Sequence, residues 1–239
     1  AGKTDDGRVV TDASLVIVRG ERHWFVTTDD MVAVDDDEGR SKPRLEQALT
    51  EGIRNVLEKQ STKICFSTGH QEISIDDGGP QGLAELRFRL QKNNYESVLV
   101  DFSSPKPSVA LTECQVLAVV GPEVPVSEKV AKQLTDYLLG GGNVLVMVNP
   151  VLDDDNRIRS TGLDPLGRAA GIELGNDFII EKSEQARLPQ GLGETFFALP
   201  RAHGITSGLL KGDQARFKVM LSAAQSLRAP TGSAAQPLL

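Results

Sequence analysis

Short apolar runs alternate with polar turns along this chain, and their texture changes near residue 62. Ahead of that point, Leu15 to Val18, His23 to Val26 and Met31 to Val34 read as three strands of a β-meander. A tight connection around Gly20 and a second turn at Asp29-Asp30 join them. An acidic and polar linker, Asp35 to Lys42, follows. Behind Pro43, which suits a first helical turn, Leu45, Leu49, Ile53, Val56 and Leu57 recur at helical spacing.

From Thr62 the pattern becomes short apolar strands alternating with helices, the signature of parallel α/β winding. The predicted strands are Ile64 to Ser67, Ser97 to Asp101, Val116 to Val120 and Val144 to Val148. Helices are predicted over Gly82 to Lys92 and Ser127 to Leu139. The second starts at Ser127 as N-cap, turns Val130 and Leu134 inward and ends at the Gly140-Gly141-Gly142 run. A short helix from Pro165 to Ala170 follows, then strands at Asp177 to Ile180, Thr195 to Leu199 and Phe217 to Leu221. Right-handed crossovers put the first four strands in one doubly wound sheet. The expected division is residues 1–61 as meander and helix, 62–228 as an α/β domain and 229–239 as a flexible tail.

Composition narrows the function classes. The chain has 239 residues, 25% of them charged, and a formal net charge of -7, which argues against a nucleic-acid binder. Aromatic residues are only 5%, so stacking platforms for bases or sugars are few. No apolar run approaches the roughly 20 residues needed to cross a bilayer. The chain starts at Ala1 without methionine and ends in a low-complexity stretch, so both ends read as cut. Cys65 and Cys114 do not make a disulfide framework and read as small buried hydrophobes.

The most informative stretch is Lys63 to Glu72, where an apolar strand runs into Thr68-Gly-His-Gln-Glu72. The carboxyl end of an early strand is where open α/β sheets present ligand-binding groups. Thr68, Gly69, His70 and Glu72 are therefore the candidate ligand-binding residues. A histidine beside a carboxylate can serve as a general base or as half of a metal site. With His23, His70 and His203 as the only histidines, no metal set has recognisable spacing, and no metal or cofactor is predicted. The Asp76-Asp-Gly-Gly79 loop matches neither the dinucleotide nor the P-loop fingerprint, and a Gly-x-Ser-x-Gly elbow is missing. The Asp35 to Glu38 and Asp153 to Asp155 clusters lack EF-hand spacing and read as solvated loops. No catalytic residue is assigned. Gly69 is expected to supply a positive φ, with His70 anchoring the turn by bonding backbone carbonyls.

Taken in order, four segments resemble the soluble domain of the GldG-like family, auxiliary components of ABC transporters linked in some bacteria to gliding motility. They are the Ser14 to Val34 meander with His23-Trp-Phe-Val26, and Thr68-Gly-His-Gln-Glu72, close to the family's Thr-Gly-His-Gly-Glu. The third runs from Val119-Val-Gly-Pro122 through Ser127 and Tyr137-Leu-Leu-Gly-Gly-Gly-Asn-Val-Leu145 to Asn149-Pro150. The last is His203-Gly-Ile-Thr206, similar to His-Pro-Ile-Thr. The resemblance implies a Rossmann-like, mostly parallel sheet of flavodoxin or glutamine-amidotransferase type behind the meander, similar also to the GIFT domain of intraflagellar transport proteins. It further implies a non-enzymatic domain on the extracytoplasmic (periplasmic) side of the cell membrane, anchored by helices outside this chain and contacting permease and ATPase subunits. Two alternatives stay open: a GIFT-like carbohydrate-binding module for cell-envelope glycan, and an amidotransferase-like hydrolase using His70 and Glu72. The amidotransferase cysteine has no counterpart at Thr68 or Gly69.

Overall fold

The structure is a computed structural model that describes residues 2–3, 9–10, 13–20, 22–35, 40–57, 62–104, 109–155, 157–175, 177–185, 187–188, 191–211, 214–215 and 217–239. Its centre is a four-stranded parallel sheet flanked by helices. Strands Asn143–Met147, Val116–Val120, Thr62–Thr68 and Tyr95–Asp101 lie side by side in that order. In chain order the sheet therefore runs 2-1-3-4, and the winding reverses between Thr62–Thr68 and Val116–Val120. Each of the four predicted strands is present, Val116–Val120 with the expected ends and the others with ends shifted by up to two residues. Small antiparallel pairs are present besides this sheet, so the fold is mixed α/β rather than purely parallel.

The chain divides into two compact units, Ala1–Cys65 with Ser74–Val98, and Phe66–Ile73 with Leu99–Leu239. In the first, Ala13–Arg19 pairs antiparallel with Arg22–Thr27, turning at Gly20 with a φ of 63°. The helix Leu45–Leu57 lies on the hairpin at Gly52, where an added Cβ would come within 2.5 Å of Ile17 Cδ1 and 3.0 Å of Trp24 Cδ1. Only glycine permits so close an approach.

The expected three-stranded meander is not formed. Val32–Asp35 pairs instead with Arg40–Pro43, part of the stretch read as linker, while residues 36–39 of that stretch and of the acidic cluster lie outside the described residues. The Asp29-Asp30 turn is a one-turn helix, Thr28–Met31. Thr27 accepts from the Asp30 amide and Asp30 accepts from the Thr27 amide, a reciprocal capping box that satisfies two otherwise orphaned donors.

In the second unit, Glu128–Leu139 is capped by Ser127, whose hydroxyl accepts from the Val130 amide. Val130, Ala131 and Leu134 bury one face, as their spacing requires. The helix stops at the glycine run: Gly141 takes a φ of 92°, and the Tyr137 ring lies where a Cβ on Gly142 would be. Tyr137 in turn donates its hydroxyl to the Cys114 carbonyl at 2.9 Å. A shorter helix, Asp164–Ala169, packs on Glu128–Leu139. The segment predicted as a strand at Asp177 to Ile180 is not one. Its neighbour Glu173–Leu174 pairs with Leu227–Arg228, and Asp177 spends its carboxylate on the Ser226 amide and hydroxyl. Thr195–Ala198 and Val219–Ser222 pair antiparallel across the intervening Leu210–Lys211 and Gln214–Ala215 strands.

The cysteine reading also changes. Cys65 and Cys114 are both buried, as expected, but each is disulfide-bonded rather than a free thiol.

The helix Glu128–Leu139 offers a direct test of this core. Leu134→Ala, at a fully buried position, is expected to cost about 2–5 kcal/mol in urea unfolding. Leu139→Ala, at the exposed end of the same helix, is expected to change stability by under about 0.5 kcal/mol.

Candidate functional site

The candidate residues sit where the sheet's winding reverses, the place where open α/β sheets most often leave a ligand crevice. The strand Thr62–Thr68 ends there, and the chain turns through Gly69 with φ 118° and Gln71 with φ 58°. Gly69 behaves as predicted. Its missing Cβ leaves room for the Ser103 amide, which would lie 2.8 Å from one. Gln71 was not singled out by the sequence. It adopts a left-handed conformation unfavourable to a side chain, at the position where the resembling motif has glycine.

His70 is held through its backbone. Its amide donates to Glu72 Oε2 at 2.7 Å, and its carbonyl accepts from the Glu123 and Val124 amides at 3.2 and 3.1 Å. The Ile73 amide donates to the Val120 carbonyl at 2.9 Å. The loop after the first sheet strand is thereby laced to the loop after Val116–Val120. Gly121, with φ 57°, brings its backbone against Ile73 and donates to the Met147 carbonyl at 2.8 Å. On the other flank, the Phe102 amide donates to the Thr68 carbonyl at 2.9 Å.

The expectation that the His70 side chain anchors the turn on backbone carbonyls is therefore corrected: the peptide groups do that work. The ring itself packs against Glu72, with Nδ1 3.6 Å from Oε1 and side-chain exposures of 10% and 2%. That distance is too long for a hydrogen bond, and Nδ1, Glu72 Oε1 and Ser67 Oγ are buried with no hydrogen-bond partner. Three orphaned polar atoms within six residues call for an occupant, an ordered water or a small polar ligand. Thr68, the fourth predicted residue, contributes its carbonyl to the Phe102 bond.

Asp101 completes the corner. Its carboxylate accepts from the Ser103 hydroxyl at 2.6 Å and the Ser103 amide at 2.8 Å. Those bonds, the hydroxyl's first, hold its carboxyl below the usual range, against a smaller upward push from desolvation. Among the described residues no group of three or more histidine, cysteine or acidic side chains is arranged to hold a metal. The Asp153 to Asp155 cluster caps its own turn, with Asp153 Oδ1 accepting from the Asp155 and Arg157 amides at 3.0 and 2.8 Å. His203-Gly-Ile-Thr206 is likewise self-contained. His203 Nδ1 accepts from the Ile205 amide at 3.1 Å, and the Thr206 hydroxyl donates to the Arg201 carbonyl.

Two substitutions probe the corner. Glu72→Ala strips the buried His70 amide of its acceptor and is expected to cost about 1–3 kcal/mol. Gln71→Gly relieves the left-handed strain and is expected to stabilise by about 0.5–1 kcal/mol. Chemical denaturation of the two variants checks both signs.

The comparisons with known proteins agree with this architecture. The family described as "ABC-type uncharacterized transport system" matches residues 61–207, more than half of the chain and the whole of the parallel sheet. Among solved structures, the mmIFT52 N-terminal domain is similar in fold, with a TM-score of 0.52 over 72% of this chain and 70% of that one. At 17% identity that likeness concerns the fold alone. None of the curated proteins compared matches the chain. With the sheet, its laced strand ends and the intervening helices all inside the matched span, the chain belongs to the ABC-type uncharacterized transport system family.

Proposed function

We infer that this chain is a non-enzymatic, extracytoplasmic domain of an ABC transporter auxiliary protein of GldG-like type, acting through contacts with permease and ATPase components. The observation that carries the reading is the family match over residues 61–207. The disulfide-bonded state of the cysteines supports an oxidising, extracytoplasmic compartment, because cytosolic thiols are kept reduced in most organisms. The 2-1-3-4 strand order supports a Rossmann-like sheet of flavodoxin type. No helix among the described residues is long and apolar enough to cross a membrane, so the anchor in this reading belongs to sequence outside the chain. Expressed from its full-length gene in its own host, the protein is expected to co-purify with a permease and an ATPase from detergent extracts. Recovery of the intact protein alone, from a gene encoding no membrane segment, overturns the proposal.

A second reading is favoured by one observation, the orphaned Ser67, His70 and Glu72 atoms at the sheet's reversal point. On it the corner binds a small polar ligand, with cell-envelope glycan as the proposed class. Glycan binding abolished by His70→Ala supports this reading, and a broad glycan screen without binding ends it.

A further inference from the structure

Asn143–Met147 closes one end of the parallel sheet, and among the described residues no strand pairs with its outer side. Its inner side is aligned with Val116–Val120, residue for residue from Asn143 opposite Val116 to Met147 opposite Val120. The Gly121 amide donates to the Met147 carbonyl, so the main-chain groups of Met147 face inward. Successive residues of a strand turn their backbone groups to opposite sides. Val144 and Val146 therefore present their N–H and C=O groups along the free edge.

Free edges are normally blunted by charge, proline or a covering segment. The opposite edge strand, Tyr95–Asp101, carries Glu96 and Asp101. Asn143–Met147 carries no charged residue at all. Its Leu145 and Met147 are 47% and 40% exposed, and Leu139, at the end of the helix leading into it, is 69% exposed. The strand also reads nearly the same in both directions about its centre: Asn-Val-Leu-Val-Met, with exposure alternating symmetrically around Leu145.

We propose that this edge pairs with the same edge of a second copy of the chain, antiparallel about a two-fold axis at Leu145, joining two four-stranded sheets into one. In that register Val144 of each copy lies opposite Val146 of the other, and each such pair exchanges two N–H···O bonds through the outward-facing groups. Leu145 meets its own counterpart at a non-hydrogen-bonded position, where Cα atoms come within about 4.5 Å and side chains are closest. A two-fold interface demands that each residue suit its reciprocal partner, and the near-palindrome meets that demand where an arbitrary strand would not. The buried patch is small beside the roughly 800 Å² per partner of a standard interface, so the dimer dissociates on dilution.

Sedimentation equilibrium of the 239-residue chain is expected to give a mass that rises with concentration from 25.7 kDa toward twice that value. Leu145→Lys places like charges opposite each other and is expected to hold the chain at the monomer mass. Under mild oxidation Leu145→Cys is expected to form a disulfide-linked dimer and Val144→Cys is not, circular dichroism showing that each variant is folded. A monomer at every concentration overturns the proposal. So does a dimer indifferent to Leu145→Lys, or a Val144→Cys variant that crosslinks as readily as Leu145→Cys.

Discussion

The peptide groups of His70 are the hinge on which the centre of this structure depends. A parallel sheet leaves its strand ends with backbone donors and acceptors that have no ladder partner, and burying them unsatisfied costs free energy. At His70 both groups are used: the amide on the Glu72 carboxylate, the carbonyl on the amides of Glu123 and Val124. Glu72 is itself nearly inaccessible, and the His70 amide satisfies one of its two carboxyl oxygens. That one exchange closes the first strand's turn and ties it to the loop after Val116–Val120, the two strands between which the sheet reverses.

The same tie explains the unusual backbone around it. Gly69, Gln71 and Gly121 all adopt positive φ within or against this corner. The two glycines let chain segments approach more closely than an ordinary side chain permits: Ser103 beside Gly69, Ile73 beside Gly121. The corner is thus built by close backbone approach, with side chains secondary. Ser67 Oγ, His70 Nδ1 and Glu72 Oε1 are buried at the same corner without a hydrogen-bond partner.

The family match covers this whole scaffold. The surface feature that stands out on it is an uncharged sheet edge at Asn143–Met147, with Leu145 and Leu139 exposed.

Much of the architecture was legible in the residues themselves. The four apolar strands, the Ser127 cap, the glycine stop at Gly140 to Gly142 and the positive φ of Gly69 follow from local rules, since apolar periodicity, capping hydroxyls and glycine's freedom act within a few residues. The turn at Thr68 to Glu72 was legible as a strand-end corner, but the bonding inside it was not. That His70 works through its backbone, that Gln71 is strained, that Val32–Asp35 pairs with Arg40–Pro43, and that Cys65 and Cys114 are bonded were decided only by the tertiary structure. Each of these depends on which distant segments meet, and no local pattern of apolar and polar residues encodes a meeting between groups far apart along the chain.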